Sequence, residues 1–175
     1  MIKEAIFGGG CFWCLEAAFE IVDGVIDVES GYANGHKENP TYKEVCTDTT
    51  GYAEVVKITY DDNKISYKEL LEIFFAIHDP TTLNRQGADF GSQYRSIIIY
   101  LDEEQKKEAL EFIQELQKYL DRKIVTKVEA LKNYYKAEEY HQDYFRKNPM
   151  QAYCQAVALP KVLKVKKLLE EKKRD

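Results

Sequence analysis

The chain has 175 residues, a mass of 20.4 kDa and a formal net charge of -5, with 31% charged residues of mixed sign. A chain of this length supports one domain that buries roughly 70% of its unfolded surface, and its mild acidity offers no electrostatic footing for nucleic acid. No apolar run is long enough to cross a bilayer, no signal-peptide core follows Met1, and four cysteines are too few for a secreted disulfide scaffold, so a cytoplasmic protein is expected.

A β-like run from Ile2 to Phe7, with a strand predicted over Ala5 to Phe7, leads through Gly8-Gly9-Gly10 to Cys11-Phe12-Trp13-Cys14. Leu15, Ala18, Phe19 and Val22 then recur at helical spacing, which predicts a helix over Phe12 to Val22. A strand from Val25 to Gly31, a polar loop from Tyr32 to Gly51 and a strand from Ala53 to Tyr60 follow. The next helix runs from Ser66 to Ile77, with Ser66 and Glu69 forming a capping box and Leu70, Ile73, Phe74 and Ile77 an apolar face. After a loop to Gln93 comes a strand from Ser96 to Leu101. The order β-α-β-β-α-β places the chain in the α/β class, of α+β type, as a ferredoxin-like two-layer sandwich. Further elements are added at the C-terminus. They are a helix opened by Asp102 with Ala109, Leu110, Ile113, Leu116 and Leu120 on its apolar face, a strand from Ile124 to Val128, and helices over Ala137 to Lys147 and Leu159 to Lys172. Val162, Val165, Leu168 and Leu169 are spaced to dock the last of these. The expected organisation is one domain, 1–158, with a packed helical tail, 159–175, frayed at its end.

Cys11 is the leading candidate for chemistry. Three glycines let the backbone turn and another molecule approach, and the free amides of a helix start favour a thiolate, the nucleophilic form of cysteine. Phe12 and Trp13 beside it suggest an apolar pocket for part of a substrate. The bland reading is a core cysteine among aromatics, and Cys11-x-x-Cys14 also fits a thioredoxin-like dithiol. Zinc would need a second close ligand pair, which Cys46, Cys154 and three scattered histidines do not supply. Period-two alternation puts Glu54 on the apolar side of its strand with Val56, Ile58 and Tyr60. There desolvation keeps a carboxyl protonated and fit to act as a general acid, unless it reaches solvent at the strand end. The loops 32–51 and 78–93 are long for a compact domain, as functional loops are. Asp89 has a plain alternative as a turn former between Gly87 and Gly91.

Gly10-Cys11-Phe12-Trp13 at a helix start resembles the active-site motif of peptide methionine sulfoxide reductases of the A type. The resemblance continues in order through Ser30-Gly31-Tyr32-Ala33-Asn34-Gly35, Asn39-Pro40-Thr41-Tyr42, Gly51-Tyr52-Ala53-Glu54, His78-Asp79-Pro80-Thr81, Gly91-Ser92-Gln93-Tyr94-Arg95-Ser96 and Ala137-Glu138-Glu139-Tyr140-His141-Gln142. It covers about residues 5 to 154.

What the resemblance implies is a protein-repair enzyme of oxidative stress that reduces methionine S-sulfoxide, free or in proteins, with no cofactor and with thioredoxin as external dithiol, working as a monomer. Cys11 would attack the sulfoxide sulfur, Glu54 would protonate its oxygen, Tyr42 and Tyr94 would hydrogen-bond that oxygen, Phe12 and Trp13 would hold the methyl group, and Asp89 would help bind the substrate. Cys11 would become a sulfenic acid and then a disulfide. Cys154 is the favoured resolving thiol, on a mobile segment after Asn148-Pro149-Met150; Cys14 and direct reduction stay open. Cys46 is expected in the core. Tyr52 and Ser92 stand where the family usually has His and Thr, and the chain ends in a helix where members often have a glycine-rich tail. A dithiol-disulfide oxidoreductase and a binding module with a buried Cys11 are the rivals.

Overall fold

The computed structural model describes residues 1–174, and the side chains of 1–172; Asp175, the end of the expected tail, lies outside them. Ile2–Gly8 (β1) leads into Phe12–Glu20 (α1), then Val25–Ala33 (β2), Tyr42–Cys46 (α2), Ala53–Asp61 (β3) and Tyr67–Ala76 (α3). A small hairpin, Arg85–Gln86 (β4) with Asp89–Phe90 (β5), precedes Ile97–Tyr100 (β6) and Glu103–Gln117 (α4). Lys127–Ala130 (β7), Tyr134–Lys136 (β8), Tyr144–Lys147 (α5) and Leu159–Arg174 (α6) complete the chain.

The main sheet has the order β7-β6-β1-β3-β2-β8. Its inner four strands, β6-β1-β3-β2, are all antiparallel, the arrangement that β-α-β-β-α-β connectivity produces when α1 and α3 cross one face. Alternation sets the faces. Ala5 and Phe7 of β1, and Val56, Ile58 and Tyr60 of β3, enter the large core with Leu15, Phe19, Leu70 and Phe74; Ile6, Ala33, Ala53 and Val55 lie in a smaller cluster on the other side. Phe7 stacks on Phe74 at 4.8 Å between centroids. The mutually buried rings lock the register, because a one-residue slip would turn every side chain to the wrong face. The capping box of Ser66 and Glu69 forms as read from the sequence.

Several expectations need correction. The loop 32–51 contains α2, begun by a capping box of Thr41 and Glu44, a signal present in the sequence. Leu110 is exposed, since α4 turns Ala109, Phe112 and Ile113 inward and Leu110 points away. The strand expected at 124–128 lies at Lys127–Ala130, parallel to β6. The helix expected over Ala137 to Lys147 is broken. Gln142 spends its buried amide on Ser30 N–H, Ser30 O and Ala137 O, and Asp143 adopts φ 56° before the short α5. Cys46 is exposed at the end of α2, not in the core.

Candidate active site

The turn from β1 into α1 is possible only with glycine at two places. A Cβ on Gly8 would meet the main-chain oxygen of Glu54 at 2.7 Å, and Gly10 has φ +86°, a conformation side chains resist. The Gly10 N–H donates to Tyr94 O at 3.1 Å. Cys11 follows as the N-cap of α1 but its side chain caps nothing, which leaves the sulfur to other partners. Cys14 is one turn on, fully buried, with its N–H donating to Cys11 O at 3.1 Å.

Glu54 comes to this turn from β3. It is completely buried; Oε1 accepts the Phe12 N–H at 3.3 Å, and Oε2 has no hydrogen-bond partner among the described residues. Burial pushes its pKa up to about 8, against the pull of the Phe12 amide and the Gln93 side chain. The carboxyl is therefore protonated near neutrality, with an oxygen available to a ligand. Tyr42, on α2, and Tyr94, in the 3₁₀ turn Ser92–Tyr94, stand half-buried around the same carboxyl. Burial, and next the nearby charge of Glu54, raise both phenols, so both remain hydrogen-bond donors.

The aromatic neighbours form a receptacle. Phe12 is fully buried, 6.2 Å from Tyr42 and 5.1 Å from His141 between ring centroids. Trp13 is half-buried, stacked on Tyr144 at 3.7 Å and 5°. Its Nε1–H donates to His141 Nδ1 at 2.9 Å. Asp89, in β5, is not a free turn former; its Oδ2 accepts from Tyr153 Oη at 2.5 Å, and that hydroxyl lies 3.8 Å from Cys14 Sγ. Cys11 opens on a cleft of about 750 Å³ also lined by Gly10, His78, Gln86, Asp89, Tyr153 and Lys161. His78, bonded to Phe74 O and Ser96 Oγ, is held neutral by burial, its pKa pushed down to about 4.

The thiols depart from expectation in two ways. Cys11 is only 5% exposed. Burial, then its hydrogen bond with Cys14 and, once Glu54 ionises, the charge of that carboxylate push its thiol well above the ordinary value, outweighing the helix start that favours a thiolate. Cys14 is lowered, chiefly by that same bond from Cys11. Cys154 is not on a mobile segment: it is buried in a π-helical turn, Cys154–Ala158, that continues directly into α6. All four cysteines are free thiols.

The structure thus brings Cys11, Glu54, Tyr42, Tyr94, Phe12, Trp13 and Asp89 to one place and holds Cys154 behind α1. Sequence reasoning missed Tyr153 and the task of His141. Tyr153 is one of 13 tyrosines with no local mark, and His141 meets Trp13 across 128 residues.

A family model described as peptide methionine sulfoxide reductase matches residues 3–174. Peptide methionine sulfoxide reductase MsrA of Nautilia profundicola is 60% identical over 173 residues, 99% of this chain and 99% of that protein. The reduced form of Mxr1 from Saccharomyces cerevisiae superposes with a TM-score of 0.83 at 41% identity, over 87% of this chain and 89% of that one. Mxr1 in complex with Trx2 gives 0.59 at 29% identity, over 82% and 84%. With a cysteine, a buried carboxyl and a cluster of aromatic rings brought together by a fold and a sequence that agree along nearly the whole chain, the protein belongs to the peptide methionine sulfoxide reductase family.

Proposed function

We propose that this chain reduces the S epimer of methionine sulfoxide, free or in oxidised proteins, working as a cytoplasmic monomer with no bound cofactor and with thioredoxin or another external dithiol as reductant. The observation that carries the proposal is the fully buried, protonated Glu54 beside Cys11, whose Oε2 has no hydrogen-bond partner among the described residues. The existence of an Mxr1 complex with Trx2 supports the reductant. Residues 1–158 form the catalytic domain, and the helix Leu159–Arg174 covers it.

Phe12 and Trp13 receive the methyl group, Asp89 helps hold the substrate, and Tyr42 and Tyr94 donate hydrogen bonds to the sulfoxide oxygen. The Cys11 sulfur attacks the sulfoxide sulfur as Glu54 gives its proton to the oxygen, and the proton that the Cys11 thiol gives up passes through solvent to recharge Glu54. Because Glu54 is neutral beforehand, its charge does not oppose a thiolate forming at Cys11 during attack. Methionine leaves, the oxygen passes to Cys11, and a sulfenic acid results. Cys14, one helical turn on with its N–H donating to Cys11 O, closes the first disulfide; an i, i+3 pair at a helix start is able to bridge. Cys154, behind α1, is the thiol to which that disulfide can pass before an external dithiol reduces it. Reduced protein incubated with S and R methionine sulfoxide and a dithiol should release methionine from the S epimer alone. Release from neither, or from the R epimer, sinks the reading.

A further inference from the structure

Lys161 lies half-buried in the first turn of α6, its Nζ 3.9 Å from where a Cβ on Gly10 would sit. α6 is seated by Val162 and Val165, both buried, and by an ion pair of 2.7 Å between Lys172 and Glu72. The helix therefore delivers an ammonium group to the lining of the Cys11 cleft, beside Gly10. Of the cleft-lining residues only Lys161 and Lys164 carry positive charge, and Lys164 is exposed; His78 is neutral.

The other ionisable groups that face Cys14 are Cys11 from the N-cap, Glu54 from β3, Asp89 from β5, Tyr153, and Cys154 from the π-helical turn. Each is a carboxyl, a thiol or a phenol, and each is either neutral or negative. Hydrogen bonds from Cys11 and Tyr153 favour a Cys14 thiolate, and among the charged neighbours Lys161 is the one whose charge does so, against the opposing charge of Asp89.

Resting on the reading that Cys14 closes the disulfide, we propose that Lys161 is a positioning residue that keeps Cys14 as a thiolate poised to attack the Cys11 sulfenic acid. In that step the Cys14 sulfur bonds to the Cys11 sulfur and the Cys11 S–O bond breaks. Hydroxide leaves and takes up a proton to become water; Cys14 is oxidised and the Cys11 sulfur is reduced. The lysine enters neither bond, and it acts only through its charge.

The experiment mixes reduced protein with one equivalent of methionine S-sulfoxide, quenches with acid and alkylating agent, and quantifies the Cys11–Cys14 linked peptide by mass spectrometry across pH. In Lys161→Met the pH midpoint of disulfide closure should rise by about one unit, with closure at neutral pH slowed roughly tenfold, an opposite charge nearby being worth that order of shift. Lys161→Arg, which keeps the charge and the length, should restore both. A Cys11–Cys14 disulfide whose closure midpoint is unmoved in Lys161→Met overturns the lysine's role and leaves the pairing intact. A wild-type disulfide that omits Cys14 overturns the pairing and the proposal with it.

Discussion

The indole N–H of Trp13 and Nδ1 of His141, 2.9 Å apart, join the start of α1 to a segment 128 residues away. Because Nδ1 accepts this bond, the ring proton resides on Nε2, and burial lowers the imidazole's pKa so that it stays neutral. His141 thus sets the edge of the receptacle without touching the sulfur chemistry.

His141→Phe keeps an aromatic ring but removes the acceptor. A partly buried hydrogen bond is worth about 1 kcal/mol, so KM for methionine sulfoxide should rise roughly fivefold with kcat much less affected. Trp13 is the only tryptophan, so its fluorescence reads its surroundings directly. Unchanged KM and unchanged emission would show that stacking on Tyr144 alone holds the ring.

Cys11→Ser should abolish reduction, because a hydroxyl is far less acidic than a thiol and cannot supply the nucleophile. Methionine release at a rate near that of the wild type would end the assignment of Cys11.

Glu54→Gln should slow the sulfoxide-consuming step by about 10²- to 10⁴-fold while alkylation of Cys11 proceeds. In the wild type the same step should weaken as pH rises through about 8, where the acid is lost and its anion opposes a thiolate at Cys11. Single-turnover rates measured from about pH 6 to about pH 9, a span that brackets this titration, test both. A flat profile with an unimpaired Gln variant would make Glu54 structural.

Glu16, Glu20 and Asp143 place one carboxylate oxygen each within 4.8 Å of the others. Burial, then Asp143, raises Glu16 to about 7; burial, then a hydrogen bond with Asp143, raises Glu20 to about 8. Raised folded-state values mean that the native protein holds protons the unfolded chain would release. The stabilising contribution is full below the ordinary carboxyl range and is lost as pH rises through about 7 and about 8. Urea midpoints should fall over that window, and Glu20→Gln should flatten the fall. A midpoint that climbs with pH would contradict protonated glutamates in the native state.

Local pattern carried the inner sandwich and the burial of Glu54, because strand alternation and helix spacing are short-range signals that the core then enforces. What it missed depends on distant partners. Ala137 to Lys147 has helical spacing, yet Gln142 finds better partners on β2 than a helix would give it. The charge state of Cys11 was misread because a helix start is visible in sequence, whereas the covering that leaves the sulfur 5% exposed is contributed by other elements. α2 was legible and overlooked, since Thr41 and Glu44 spell its cap.

The Phe12 amide is one of the donors a helix start leaves without a carbonyl, and Glu54 Oε1 occupies that vacancy at 3.3 Å. A carboxylate accepts a hydrogen bond more strongly than a carboxylic acid. The first turn of α1 is therefore held more tightly whenever the acid has given its proton away, and loosens when it is recharged. Protection of this single amide against hydrogen exchange becomes a gauge of the Glu54 proton, read from the backbone with no substrate present.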